Sequence, residues 1–249
     1  GVIERIGPRH GMLFRRANNR DHLIVCNVDQ VLVVSAVAMP ETRIHLIDRY
    51  LVAAEIGRLH AVVVFNKIDL PHDVPLDDYE AVYRELGYGV VRTSAATGEG
   101  LPELREVMKD RKSVLAGVSG VGKTSLINAL EPGLDLAVRP VNRTSRRGQH
   151  TTTTARLLPL SFGGYVVDTP GIRQFALWKY DRRDLDSCFR EFVPLIGHCR
   201  FPNCVHLQEE SCAVKDAVEA GRIAPWRYDS YVKLYEDTGE FLPSWRRTT

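Results

Sequence analysis

Four groups of residues have types and spacings that can do chemistry. Gly117-Val118-Ser119-Gly120-Val121-Gly122-Lys123-Thr124 follows an apolar strand pattern and opens a helix. In that setting glycines turn backbone N–H groups onto phosphate oxygens. Lys123 then reaches the terminal phosphates, Thr124 offers its hydroxyl to magnesium, and Ser125 follows on the first helical turn. Asp168-Thr169-Pro170-Gly171 ends a second strand pattern, where a carboxylate meets the magnesium shell and the Gly171 N–H meets the last phosphate. Alone, that tetrapeptide is also an ordinary turn; paired with the glycine loop it reads as a phosphate sensor.

Asn66-Lys67-Ile68-Asp69 lies at the end of an apolar strand, the edge where α/β sheets bind ligands. The Asp69 carboxylate can accept hydrogen bonds from the ring N–H and exocyclic amine of guanine. Adenine has a lone pair at the ring position and lacks the amine, so it would leave the carboxylate unpaired. Asn66 and the stem of Lys67 support the base. Thr93-Ser94-Ala95 places small residues after the next strand, where a backbone N–H can meet the guanine oxygen, although such residues are also common in turns. The fourth group is Cys199-x4-Cys204-x-His206-x5-Cys212, three thiols and one imidazole with the count and softness of a closed tetrahedral zinc site. His198 adjoins it as a poorer ligand, and Cys26 and Cys188 are read as buried structural residues.

These groups need a scaffold that brings strand ends together. Apolar patterning predicts strands over Val31–Ala38, Ala61–Phe65, Val90–Thr93, Ser113–Ala116, Thr154–Leu160 and Tyr165–Val167, with helices over Thr42–Ile56, Leu76–Leu86 and Lys123–Leu130. That alternation predicts a parallel sheet flanked by helices. The divisions expected are a β segment at 1–27, an α/β domain at 28–177 and a small helical, metal-stapled unit at 178–249, with a further helix from Pro225 to Glu240. Gly7-Pro8 and Asn18-Asn19 read as turns in the first segment.

Composition bounds the rest. Apolar residues at 44% and charged residues at 26% of 249 exclude a disordered, collagenous or coiled-coil chain. The formal net charge is +2, but residues 1–20 carry +4 and residues 139–156 carry +5, which leaves the remainder at −7. Arg139, Arg143, Arg146 and Arg147 have no acid between them; they read either as a solvated flexible loop or as an RNA contact, for which Arg suits phosphate. The apolar run Val31–Met39 falls well short of the roughly 20 residues that cross a bilayer. With no secretion signal visible at the first residues and an odd cysteine count clustered near His206, the chain reads as an intracellular, non-membrane protein.

The order of the groups is unusual, because base-reading residues at 66 and 94 precede the phosphate loop at 117, which precedes Asp168. That is a rotated GTPase order, which circular permutation can produce while keeping the site, since domain termini tend to lie close together. This order, the Arg-rich run into His150-Thr151-Thr152-Thr153-Thr154, Asp168-Thr-Pro-Gly171-Ile172-Arg173 and the downstream Cys/His group resemble the ribosome small subunit-dependent GTPase A family over nearly the whole chain. The resemblance implies an OB-fold, of which residues 1–27 are the last portion, then a circularly permuted P-loop GTPase domain and a C-terminal zinc domain. It also implies a cytoplasmic, monomeric GTP hydrolase in late maturation of the small ribosomal subunit, touching its rRNA, with Mg2+ beside GTP or GDP on Thr124, Thr152 and Asp168 and one structural Zn2+. In that family the residue matching His150 swings in to act on water. Ile172 stands where many GTPases carry a water-orienting Gln, so slow intrinsic hydrolysis is expected.

Two other readings compete with a hydrolase: a GTP-switched binding protein with negligible turnover, and an ATP-using enzyme on the same phosphate loop. Asp69 disfavours the second. A hundredfold excess of ATP is expected to leave labelled GTP bound, and displacement by ATP would remove the guanine reading.

Overall fold

Valine-rich runs without alternation form the middle of the sheet, because a strand covered on both faces has no polar side to present. In the computed structural model, which describes residues 3–5, 7–17, 20–136, 156–168 and 184–237, these runs are β3 (Gln30–Ala36) and β4 (His60–Asn66). All seven residues of β3 and six of seven in β4 are buried. With β5 (Gly89–Thr93), β6 (Lys112–Ala116), β7 (Arg156–Pro159) and β8 (Tyr165–Asp168) they make a six-stranded sheet ordered β5–β4–β3–β6–β8–β7. β3 pairs in parallel with both β4 and β6, β4 with β5, and β6 with β8. The carboxyl ends of β4, β5, β6 and β8 therefore share one edge, and that edge carries Asn66, Ser94, Gly117 and Asp168.

Two features differ from the expected all-parallel pattern. β7 runs antiparallel to β8, because the five residues between them form a tight turn, too short for the crossover that parallel pairing needs. Leu160 and Gly164 exchange a backbone hydrogen bond across that turn at 3.1 Å. A helix that the patterning did not indicate, α3 (Leu101–Met108), joins β5 to β6. It is only eight residues long, with Pro102 in its first turn, so its apolar stripe of Leu101, Leu104 and Met108 spans too few turns to be read as periodic. The other helices of this part are α1 (Ile44–Gly57), α2 (Leu76–Glu85) and α4 (Lys123–Leu130). Leu32, Val34, Val62, Val64, Leu104, Met108, Leu126 and Val166 pack into one core between sheet and helices. Ahead of the sheet, β1 (Leu13–Ala17) and β2 (Arg20–Val25) pair antiparallel, with the residues of the Asn18-Asn19 turn outside the described ones.

The chain divides into two compact units, Gly1–Thr42 with Ala53–Trp178, and Arg43–Val52 with Lys179–Thr249. The second takes the first half of α1, which no sequence pattern announced. It holds single 3-10 turns at Asp186–Cys188 and Val193–Leu195, then α5 (Ala213–Glu219) and α6 (Pro225–Asp237); the expected end of the last helix, Glu240, lies outside the described residues. Phe189, Phe192 and Tyr231 form its aromatic centre with ring centroids 4.9–5.4 Å apart, in the range where edge and tilted ring packing is favourable. Beside them Arg227, 1% exposed, donates to Asp48 Oδ1 at 2.5 Å and forks onto Glu191 at 2.5 and 3.1 Å. Its guanidinium also lies 4.7 Å over the Phe189 ring.

Removing one partner of such a cluster strands two buried carboxylates, at a cost of about 3–5 kcal/mol. Arg227→Ala is therefore expected to lower the stability of the second unit by about that much in urea unfolding. A loss below about 1 kcal/mol would show that the network relaxes without it.

Candidate nucleotide site and metal centre

β6 ends at Ala116, and the chain must turn sharply to start α4 at Lys123. Two glycines permit the turn where nothing else fits. Gly117 has φ +143°, and a Cβ there would sit 2.2 Å from the Val34 carbonyl oxygen; Gly122 has φ +96°, and its Cβ would sit 2.3 Å from Asn66 Nδ2. The loop 117–122 therefore lies directly against β3 and against the end of β4. Val118, Ser119, Gly120 and Val121 fill its crown, with Thr124 and Ser125 in the first turn of α4. The N-cap residue of α4, Gly122, has no side chain to cap the helix, and a helix N-terminus suits an anion. Lys123 Nζ donates to the carbonyls of Gly117 at 2.7 Å and Val118 at 2.8 Å, which holds the ammonium over the loop.

Asn66 ties the other half of the site to this loop. It is 1% exposed; its Nδ2 donates to the Val121 carbonyl at 2.8 Å. Its Oδ1 accepts from the Thr93 hydroxyl at 3.2 Å and the Ala95 N–H at 3.4 Å. One amide thus joins the ends of β4, β5 and β6. Lys67, in the left-handed region at φ +65°, donates from Nζ to the Gly120 carbonyl at 2.8 Å and to the Met39 carbonyl. Burial lowers the pKa of this amine, and the Asp69 carboxylate partly opposes the shift. Ser94 Oγ donates to Asp69 Oδ1 at 2.6 Å while accepting the N–H groups of Ala96 and Thr97 at 3.2 and 3.1 Å. That chain of bonds fixes the rotation of the carboxylate.

Asn66, Lys67, Asp69, Ser94, Ala95 and the loop 117–122 are thus brought together. Asp168 ends β8 on the same edge, with its side chain outside the description. Gly171, Thr152, His150, Arg139, Arg143, Arg146 and Arg147 lie outside the described residues. Sequence reading missed the Thr93 hydroxyl and the Met39 carbonyl. Neither has a signal along the chain, because one depends on strand pairing and the other on where a loop after β3 folds.

In the second unit, one donor atom from each of Cys199, Cys204, His206 and Cys212 lies within 4.8 Å of the others. Three sulfurs converge on His206 Nδ1, at 3.5, 3.5 and 3.3 Å, and the Cys199 and Cys212 sulfurs are 3.9 Å apart. Tetrahedral zinc with ordinary bond lengths would set sulfur–nitrogen separations of about 3.5 Å and sulfur–sulfur separations of about 3.8 Å. A single ring nitrogen cannot serve three thiols by hydrogen bonding, so the geometry fits a shared cation. Burial pushes the Cys204 thiol up to about 12 and raises Cys212 as well; a cation is what makes such groups thiolates at neutral pH. His206 Nε2 faces Asp186 Oδ2 at 3.5 Å, within ion-pair reach but outside hydrogen-bond geometry. The hydroxyls of Tyr228 and Tyr231 hold the His206 and Val205 carbonyls at 2.7 and 2.8 Å, the kind of outer support that orients metal ligands. His198 is exposed and outside the cluster. Cys188 is buried, as expected, but Cys26 is only half-buried, since it follows the edge of a two-stranded hairpin rather than entering a core.

A family model described as RsgA GTPase matches residues 6–178. The small ribosomal subunit biogenesis GTPase RsgA of Gemmatimonas aurantiaca is 46% identical over 239 residues, covering 95% of this chain and 78% of that protein. The protein of the same name from Thermotoga petrophila is 47% identical over 238 residues, covering 94% and 77%. Among solved structures, that of YjeQ from Thermotoga maritima superposes with a TM-score of 0.77 at 42% identity, covering 95% of this chain and 78% of the other. That of YloQ, a circularly permuted GTPase, gives 0.70 at 30% identity, covering 96% and 84%.

Removing the Ser94 hydroxyl frees the Asp69 carboxylate to rotate. Ser94→Ala is expected to weaken binding of a fluorescent GDP analogue by about tenfold, and unchanged affinity would detach Ser94 from base recognition. Purified chain is expected to carry one zinc ion by elemental analysis, and chelation is expected to lower the melting temperature of the second unit. Absence of both effects would reject the metal centre.

Proposed function

Because the chain belongs to the RsgA GTPase family, we propose that it is a GTP hydrolase of small-subunit maturation. It binds the immature small ribosomal subunit in the GTP state and leaves after hydrolysis. The observation that supports this reading is the Asn66–Val121 hydrogen bond at 2.8 Å, which joins the Asn66–Asp69 turn, read here as the guanine site, to the glycine loop, read here as the phosphate site.

In this reading Asp69 pairs with the ring N–H and amine of guanine, Ser94 aligns it, and the Ala95 N–H faces the guanine oxygen. Gly117–Gly122 and the N-terminus of α4 cradle the phosphates, and Lys123 neutralises the charge that develops on them. Thr124, Thr152 and Asp168 would hold Mg2+, which would supply further neutralisation of phosphate charge. The Gly171 N–H senses the terminal phosphate. Ile172 has no side-chain hydrogen-bonding group for water, and His150 takes that role when the chain is on the subunit. Arg139, Arg143, Arg146 and Arg147 contact rRNA phosphates, and a zinc ion at Cys199, Cys204, His206 and Cys212 is structural. The protein acts as a monomer in the cytoplasm; no described helix is long and apolar enough to cross a membrane.

Ile172 also favours a second reading, a GTP-switched binding protein with negligible turnover. Hydrolysis measured with and without purified small subunits separates the two. Slow turnover alone, at least tenfold faster with small subunits and unchanged with large ones, is the expected result. Equal turnover in all three conditions favours the switch without catalysis. In His150→Ala the stimulated part is expected to be lost; a retained stimulated rate removes His150 from the chemistry.

A further inference from the structure

Two adjoining cavities open on the first unit, between the segments that follow β3 and β4 and the start of α2. Their volumes are about 570 and 470 Å3, and His72, Val74 and Pro75 line both, so they are the two ends of one groove. The larger end is floored by Val37, Met39, Val74 and Pro75. Met39 is 72% exposed, an unusual position for a large apolar side chain next to a site whose Lys67 its own carbonyl holds.

The rim is acidic. Glu41 and Asp73 border the larger end, and Asp77, Asp78 and Glu99 the smaller. Arg92, the one Arg or Lys among the described residues lining either cavity, is already engaged by Asp77 at 2.5 Å and by Glu80 at 2.6 Å. The sequence says the same of the whole stretch, with six acids and a single Arg between residues 69 and 85. At the junction of the two cavities, His72 Nδ1 is shielded from solvent with no hydrogen-bond partner among the described residues.

We infer that this groove docks an extended, basic segment of a protein. The inference rests on the small ribosomal subunit being the partner, a particle that presents both RNA phosphates and cationic protein surface. Phosphates are repelled by five carboxylates, so this face cannot favour RNA. A Lys- or Arg-bearing segment satisfies both halves of the groove. Its aliphatic stems lie along Val37, Met39, Val74 and Pro75 while its charged heads reach the rim. A flexible thioether such as Met39 adapts to stems of different shape. The basic charge of the chain lies elsewhere in sequence, at residues 1–20 and 139–156, which separates an RNA-facing function from a protein-facing one.

The test is sedimentation with purified small subunits in a non-hydrolysable GTP analogue, using the triple variant Glu41→Gln, Asp73→Asn, Asp78→Asn. These side chains are exposed and outside the nucleotide site, so GTP binding on the same preparation reports that the variant is folded. The expected result is about tenfold weaker subunit binding with GTP affinity unchanged. Unchanged subunit binding overturns the groove, and tighter binding overturns it in favour of RNA at this face. A second readout leaves the groove residues unaltered and uses photoreactive methionine on a Met12→Leu background; Met108 is fully buried, which leaves Met39 as the reactive position. Crosslinks to subunit proteins support the inference, and crosslinks only to RNA, or none, overturn it. Failure of the unaltered chain to sediment with the subunit overturns the functional reading and the groove together, whereas failure confined to the variant and crosslink arms overturns the groove alone.

Discussion

The buried Asn66 amide is the constraint on which the nucleotide site depends. Its donor side holds the Val121 carbonyl and its acceptor side the Thr93 hydroxyl and Ala95 N–H, so three loops from three strands share one side chain. A buried amide left half-paired would cost the full desolvation of the lost partner, which makes the three loops cooperative. The same packing explains the glycine at 122, since a Cβ would strike the Asn66 nitrogen. In a permuted chain this contact does special work. Asn66 and Val121 stand 55 positions apart, and parallel pairing of β3 with both β4 and β6 returns them to one edge.

Lys67 and Lys123 are held in the same way in the proposed phosphate site. Each ammonium is turned onto two backbone carbonyls, Gly120 and Met39 for the first, Gly117 and Val118 for the second. Carbonyl dipoles orient both amines over the loop. Asp69, whose charge acts on Lys67, is aligned by the Ser94 hydroxyl.

The second unit is small and buries Asp48, His206, Arg227 and Ser230 among its apolar residues. Arg227 satisfies Asp48 and Glu191 at the centre, while four metal-type donors converge a short distance along the chain. The two polar clusters solve different problems. The ion cluster fixes which segments pack together, including the first half of α1, because a buried charge tolerates only its own partners. The thiol and imidazole group ties together loops with too few apolar residues to order themselves, a common resort of units of this size.

What could be known from the chain alone was whatever lies close together along it. The glycine loop, the Asn66–Asp69 turn and the Cys/His group within fourteen residues are local patterns whose chemistry follows from residue type and spacing, and their order already implied permutation. The central strands were legible because continuous valine runs have few other uses. Tertiary structure alone decided the antiparallel β7, the short α3, the Met39 carbonyl under Lys67, and Asp48 reaching Arg227 across 179 positions. Those depend on pairing between distant segments, and neither periodicity nor composition records which buried group will meet which partner.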